Sequence, residues 1–226
     1  MLLAVDTSTQ MVGLALYDGV RVLCEMTWQS RSHHTVELSP AVHEVLERCG
    51  ARPADLQALG AALGPGSFTS LRIGLALVKG MALALKIPVV GVPTLDALAA
   101  GVPTGGAPGT MPLAAVLQAG RGRLAVVWYR VQDDRWQAQS EPQMVTVEEL
   151  SQKITKPTLV AGELGAAERQ ILARKRKNVT LLSPAQSLRR PGYLAEIAWE
   201  RWKAGQVDDV VTLAPIYLHV AEAIPG

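Results

Sequence analysis

The stretch that decides the fold is residues 64–74, Gly-Pro-Gly-Ser-Phe-Thr-Ser-Leu-Arg-Ile-Gly. It joins a turn that contains Gly64 and Gly66 to a long apolar helix, expected over residues 67–86. Glycine permits backbone conformations that other residues avoid, and Ser67 is a residue type that caps helices. Unpaired N–H groups at such a helix start can bind an anion. The lysine of the Walker phosphate loop is absent, so the turn alone does not establish a nucleotide site.

Around this stretch, the pattern of apolar residues predicts two similar α/β units, residues 1–102 and 110–226. A segment rich in glycine and proline, residues 101–112, lies between them as a linker or surface loop. Alternating and helical spacings predict the individual elements. The expected strands are 2–6, 12–17, 20–28, 88–92, 113–118, 124–130, 136–145, 158–161 and 179–182, and the expected helices are 35–49, 67–86, 94–100, 146–154, 164–173 and 193–204.

Three motifs together resemble one family. They are VDTST at residues 5–9, the stretch at 64–74 and GVPTLDALA at residues 91–99. All three resemble the bacterial TsaB (YeaZ) family, the non-catalytic partner in making threonylcarbamoyladenosine on transfer RNA. The resemblance is close over residues 1–100 and loose beyond. It implies an α/β fold of two actin-like, ribonuclease-H-like (ASKHA) subdomains, with mixed sheets flanked by helices.

The chain departs from the family pattern at three positions. Ser70 stands where the family usually has glycine, and His219 where it usually has arginine. Gln118 stands where the second half of the family usually carries aspartate, so any role of that carboxylate is not carried over.

In the actin-like superfamily, an acidic residue at the end of the first strand lies near metal-bound phosphates. The resemblance therefore implies a vestigial nucleotide site that would bind ATP or ADP weakly. Its residues would be Asp6, Thr7, Ser8, Gly64, Gly66 and Ser67. The alternative is that Asp6, Thr7 and Ser8 only satisfy the backbone of their turn, as these residue types commonly do.

Catalytic equipment is sparse in this sequence. The enzymes related to the family carry a His-x-x-x-His pair after the strand that matches 88–92, but residues 95–100 contain no histidine. His33 and His34 are adjacent and would point apart, which favours surface or interface positions over metal binding. Cys24 and Cys49 form no metal motif or disulfide framework. We predict no catalytic residue, no metal and no required cofactor.

The long helix carries features of a docking surface. Ala76, Gly80 and Ala84 recur every four residues and would let another helix approach closely. In the family, the helices that match 35–49 and 67–86 form a four-helix bundle with TsaD or with a second copy of TsaB. The resemblance therefore implies an interface of Val36, Val42, Leu75, Ala76, Val78, Lys79, Gly80, Ala82 and Ala84.

These features predict a scaffold that dimerises with a TsaD-type enzyme and activates its modification of adenosine 37 in transfer RNA. A TsaE-type ATPase would join the pair, the free chain could form a homodimer, and transfer RNA would be contacted indirectly or through the complex. The alternative is an active ASKHA-type phosphotransferase or ATPase that uses Asp6. A metallopeptidase is disfavoured by the missing histidine pair.

The composition excludes few classes of function, but the sequence suggests a cellular location. The net charge of +2 does not by itself indicate nucleic-acid binding. The basic run from Arg169 to Lys177, followed by Arg189 and Arg190, is interpreted as a solvated helix end rather than an RNA contact. The N-terminus lacks the pattern of a signal peptide, and charges interrupt the apolar run at residues 71–87. The expected location is cytoplasmic, with no membrane contact.

Overall fold

Two mixed β-sheets, each flanked by helices, build the chain. The computed structural model describes residues 1–31, 33–104, 111–120, 122–175 and 177–218. Residues 105–110 of the expected linker, together with Arg176 and His219, lie outside these residues.

The first sheet contains five strands in the order β3-β2-β1-β4-β5. The central strand, β1 (Leu2–Asp6), pairs antiparallel with β2 (Met11–Tyr17), which pairs antiparallel with β3 (Val22–Gln29). On its other side β1 pairs parallel with β4 (Ala58–Ala62), which pairs parallel with β5 (Val89–Val92). Every residue of β1 is buried because helices cover both faces of this sheet.

The second sheet repeats this arrangement. Its central strand, β6 (Leu113–Gln118), pairs antiparallel with β7 (Leu124–Gln132) and parallel with β10 (Thr158–Gly162). The edge strands are β8 (Arg135–Ala138) beside β7 and β11 (Val179–Leu181) beside β10. The repeated order confirms two ribonuclease-H-like units of the actin-like fold.

One predicted strand was wrong. Residues 136–145 form the end of β8 and a separate short strand, β9 (Gln143–Val145), which pairs with another part of β7. Pro142 lies between the two and has no N–H to donate to a sheet, so a continuous strand is disfavoured there.

Each half of the chain contributes a helix that packs on the sheet of the other half. Of the six α-helices in the described residues, α1 (His34–Arg48) and α2 (Phe68–Leu85) pack on the first sheet and α3 (Thr94–Ala100) on the second. The second half of the chain adds α4 (Val147–Lys153), α5 (Ala166–Ala173) and α6 (Pro191–Lys203).

The last helix does not follow the expected division of the chain. Although α6 lies within residues 110–226, its Leu194, Ala195 and Ala198 belong to the same apolar cluster as Leu2 and Ala4 of β1. The boundary near residue 102 therefore separates the sheets but not the helices, and the halves share a core.

Length and composition alone would allow α2 to cross a membrane, because its 18 residues have a mean hydropathy of 1.5. Arg72 and Lys79 do not exclude a span by these criteria, contrary to the prediction from sequence. In the fold, Leu75, Val78 and Ala82 of α2 pack into the core of the first sheet. One side of α2 therefore packs into the core of the first sheet, and its other side faces outward.

Candidate functional site

The residues predicted to form a nucleotide site meet where β1 and β4 end and α2 begins. Ser67 N donates to the Ser8 carbonyl oxygen over 2.6 Å, and the Ser8 and Thr94 hydroxyl oxygens lie 2.7 Å apart in a hydrogen bond. The Gly64 N–H donates to Thr94 Oγ1 over 2.9 Å, and Thr7 Oγ1 donates to the Ser70 carbonyl over 2.7 Å. The six residues therefore come together, but several of their polar groups bond to one another or to Thr94 and Ser70.

The glycines of this turn are explained by close packing between loops. A Cβ on Gly66 would overlap the carbonyl oxygen of Ser8, and a Cβ on Gly74 would overlap the hydroxyl of Thr7. Gly64 has a φ of +100°, which side chains rarely tolerate. The loop after β1 is pressed against the turn before α2, so glycine is needed here without any ligand.

A buried ion-pair cluster fixes Asp6. The Asp6 carboxylate accepts one hydrogen bond from the Ser8 N–H and one from Arg189 Nε, both over 2.8 Å. Arg189 also donates to the Glu163 carboxylate and, over 3.0 Å, to the hydroxyl of Thr9. Burial alone would lower the pKa of Arg189, but the two carboxylates outweigh it, and the pKa is raised. The guanidinium, whose side chain is 3% exposed, is thus a permanent internal cation between two carboxylates.

This cluster does not fit a magnesium–nucleotide complex bound through Asp6. Arg189 donates to one oxygen of the buried Asp6 carboxylate, so a divalent cation bound to Asp6 would lie close to a fixed positive charge that repels it. Within the described part of the chain, no group of three or more His, Cys, Asp or Glu side chains could hold a metal ion.

Sequence reasoning missed Arg189, which pairs with Asp6, and Glu163, the second carboxylate that pairs with Arg189. Glu163 follows β10, and Arg189 precedes α6, 183 positions along the chain from Asp6. The interpretation of Arg189 as part of a solvated basic run was wrong, because it is buried. No local pattern marks the pair, since only the docking of α6 on the first sheet brings them together.

Beside the cluster lies a cleft of about 860 Å³ between the two subdomains. Its lining mixes apolar side chains (Met11, Ile73 and Leu164) with polar ones such as Gln10 and Gln118. The one carboxylate among the described lining residues, Glu163, is paired with Arg189. Gln118 Nε2 donates to Glu168 over 2.7 Å, so the side chain at the family's aspartate position is committed to a neighbouring helix.

Of the two adjacent histidines, His33 lies at the surface as expected, and His34 does not. His34 is buried, and its Nε2 lies 3.1 Å from the Thr9 carbonyl oxygen, which ties the start of α1 to the loop after β1. His33 precedes the helix with its side chain two-thirds exposed. One histidine is therefore structural and the other free for solvent or a partner.

The nine residues of the expected interface divide into two groups. Val42, Leu75, Val78 and Ala82 pack into the core of the first sheet, which corrects that part of the expected interface. Their side chains are not available to a partner, because the helices turn these positions toward the sheet. The members that remain accessible are Val36, Ala76, Lys79, Gly80 and Ala84.

The accessible residues of α2 form one continuous stripe, here called the outer α2 face: Arg72, Ala76, Gly80, Leu83 and Ala84. These positions recur every three or four residues and so lie on one side of the helix. Leu83 is 65% exposed, and Val36 of the neighbouring α1 is 67% exposed. A Cβ on Gly80 would meet nothing within 4 Å, so the middle of this face is open. Lys79 lies at its border, where Nζ donates to the Val211 carbonyl over 3.1 Å.

An aromatic pair extends the outer α2 face at the start of the helix. The rings of Phe68 and Tyr217 lie 4.9 Å apart, and Arg72 lies over Phe68 at 5.0 Å. Ile216 N donates to the Leu63 carbonyl over 2.7 Å, which holds the C-terminal segment in place. The segment Pro-Ile-Tyr-Leu at residues 215–218 thus packs beside the candidate docking surface.

Comparison with known proteins gives a consistent assignment. Residues 22–187 match the family model described as "TsaD: tRNA N6-adenosine threonylcarbamoyltransferase". The tRNA threonylcarbamoyladenosine biosynthesis protein TsaB of Bacillus subtilis (strain 168) is 31% identical over 98% of this chain and 95% of its own length. The protein of the same name from Escherichia coli (strain K12) is 37% identical over 44% of this chain and 43% of its length. The structure of YeaZ from Pseudomonas aeruginosa has the same fold, with a TM-score of 0.78 at 24% identity over 96% of this chain and 99% of that one. The chain belongs to the TsaB (YeaZ) family of tRNA threonylcarbamoyladenosine biosynthesis proteins.

Proposed function

We propose that this chain is a non-catalytic subunit that docks on a TsaD-type enzyme and activates it for threonylcarbamoyl transfer to adenosine in transfer RNA. The observation that carries the proposal is the outer α2 face. It exposes Leu83 and an open Gly80 on a helix whose opposite side is already packed into the core. Exposed apolar surface of this kind is typical of protein–protein contacts.

The buried ion-pair cluster supports the non-catalytic part of the proposal. Asp6, the residue that a phosphotransferase of this fold would use near its metal, is held by Arg189 and Ser8. In the turn before α2, the N–H groups of Gly64 and Ser67 already donate hydrogen bonds to protein oxygens. The subunit therefore needs no nucleotide at this place, and any ATP or ADP would bind weakly in the neighbouring cleft.

The mechanism we propose is conformational. Docking along the outer α2 face stabilises one arrangement of the enzyme over others, and a ligand shifts such an equilibrium only by its difference in affinity for the states. A second copy of the chain could cover the same face when the enzyme is absent. A TsaE-type ATPase would join the assembly, which we place in the cytoplasm with transfer RNA bound to the complex.

Gly80→Leu tests the docking surface. Because the site is open, the leucine should leave the fold intact, and the change should raise helix stability by roughly 0.5–1 kcal/mol. Light scattering after size exclusion, with the TsaD-type enzyme of the same organism, should show a one-to-one heterodimer for the wild type and at least tenfold weaker assembly for the variant. Gln170→Leu, which adds an exposed leucine to α5, is the matched control. Unchanged assembly in Gly80→Leu, or equal weakening in both variants, would refute the docking face.

The alternative, an active phosphotransferase or ATPase, has its own test. It requires micromolar ATP binding that depends on magnesium and disappears in Asp6→Ala. Calorimetric titration of both proteins would reveal such binding, and its presence would displace the scaffold proposal.

A further inference from the structure

Two basic turns lie side by side at one end of the second subdomain. The first begins at the last residue of α4 and carries Lys153 and Lys156, and the second follows α5 and carries Arg174, Lys175 and Lys177. Asn178 joins them, because its Nδ2 donates to the Thr155 carbonyl over 3.1 Å. We call these five cations the basic edge.

Strand register shows how close the turns are. Thr158 of β10 lies opposite Val179 of β11, and Thr158 N donates to the Asn178 carbonyl over 2.9 Å. Lys156 and Lys177 each precede these paired strands by two residues, so the two turns lie at the same end of the β10–β11 pair. Adjacent strands are separated by about 4.8 Å, so the two turns present their charges to the same patch of solvent.

No carboxylate neutralises the basic edge within the described residues. None of its five cations takes part in a salt bridge there, and the side-chain contact of Lys153 is to the neutral Gln143, at 2.9 Å. The acidic residues of the same helices, Glu148, Glu149 and Glu168, stand in their first turns, at the opposite ends.

Helix-end electrostatics do not account for this grouping. A cation in the last turn of a helix complements its dipole, which explains Lys153 of α4. Arg174 is the C-cap of α5 and is explained in the same way, but Lys156, Lys175 and Lys177 lie beyond the ends of their helices. Like charges brought together without partners destabilise a fold by repulsion. We therefore expect the basic edge to bind a polyanionic partner.

We propose that the basic edge binds the phosphate backbone of transfer RNA. This rests on the proposed function, because the family to which the chain belongs acts in tRNA modification. Lysine and arginine bind phosphates without reading sequence, so the basic edge would position the RNA while the enzyme selects the nucleotide. Arg169 is not part of it, since its guanidinium donates to the Leu182 carbonyl over 2.7 Å.

The test is a triple variant, Lys156→Gln/Lys175→Gln/Lys177→Gln, with the full-length chain and an unmodified tRNA transcript. Fluorescence anisotropy over a series of salt concentrations should show at least about tenfold weaker binding, with the log–log salt slope reduced by about 3, or about 1 for each lost phosphate contact. The control with the same loss of charge is Arg31→Gln/Arg123→Gln/Arg130→Gln, at accessible positions outside the basic edge.

Equal loss in both variants, or loss in neither, would overturn the proposal. Binding of the wild type to phosphatidylserine vesicles but not to tRNA would also overturn it. Enzyme docking is measured in the same samples: retained docking with lost tRNA affinity supports the basic edge. A wild type that binds tRNA alone but does not dock would refute the scaffold role and leave the basic edge standing.

Discussion

Replacing Arg189 by methionine is the perturbation with the largest expected effect on this fold. Methionine keeps most of the buried volume but removes the cation, which leaves the Asp6 and Glu163 carboxylates without their shared partner. Breaking a buried ion pair by removing one member costs about 3–5 kcal/mol, because an unpaired charge remains buried. For a chain of this size, each kcal/mol lowers the melting temperature by roughly 2–4 °C, so we expect a decrease of about 6–20 °C.

The adjacent arginine provides a matched control. Arg190 pairs with Glu25, but its side chain is 55% exposed, and exposed pairs contribute about 0–1 kcal/mol. Denaturant unfolding followed by circular dichroism should therefore separate Arg189→Met from Arg190→Met by at least about 2 kcal/mol. In the double variant Asp6→Asn/Arg189→Met, part of the lost stability should return, since one of the unpaired charges is gone.

Two results would contradict this reasoning. If Arg189→Met and Arg190→Met lost the same stability, the cluster would contribute no more than a surface pair. If Asp6→Asn gave no recovery, the loss would come from packing and not from an unpaired charge.

Further predictions concern two glycines and a buried carboxylate. Gly66→Ala should cost about 1–3 kcal/mol, since its Cβ would press on the backbone oxygen of Ser8. Gly80→Ala, where a Cβ meets no neighbour, should instead stabilise the chain by up to about 1 kcal/mol. If chemical denaturation gave both substitutions the same change in the free energy of unfolding, the loop after β1 would not be tightly packed against the turn before α2. Burial raises the pKa of Asp96 above its ordinary value of 3.8, although the Tyr129 hydroxyl, donating over 2.6 Å, opposes the shift. The unfolded chain then releases this proton at lower pH than the folded one, so Asp96 costs stability as the pH rises from about 4 through its raised pKa. Asp96→Asn should gain stability relative to the wild type between pH 4 and pH 7, and a difference independent of pH would argue against the raised pKa.

Local signals in the sequence were sufficient for the elements and the fold class. The capping box of α4 is one example: Thr146 N donates to Glu149 over 2.8 Å and Glu149 N to Thr146 Oγ1 over 3.2 Å, as the spacing of three residues predicts. Such contacts join residues within one turn, so the amino-acid order alone contains them. The motifs of the first hundred residues likewise identified the family, because each is a contiguous string.

Only the tertiary structure shows which helix faces are buried and which charged side chains lie together. Because α2 is apolar on nearly all sides, its periodicity could not tell that Leu75 and Val78 face the sheet while Gly80 and Leu83 face outward. The pairing of Asp6 with Arg189 and the grouping of the two basic turns depend on strands and helices that are separate in sequence. Packing of one element on another sets these contacts, and no local pattern of residues encodes them.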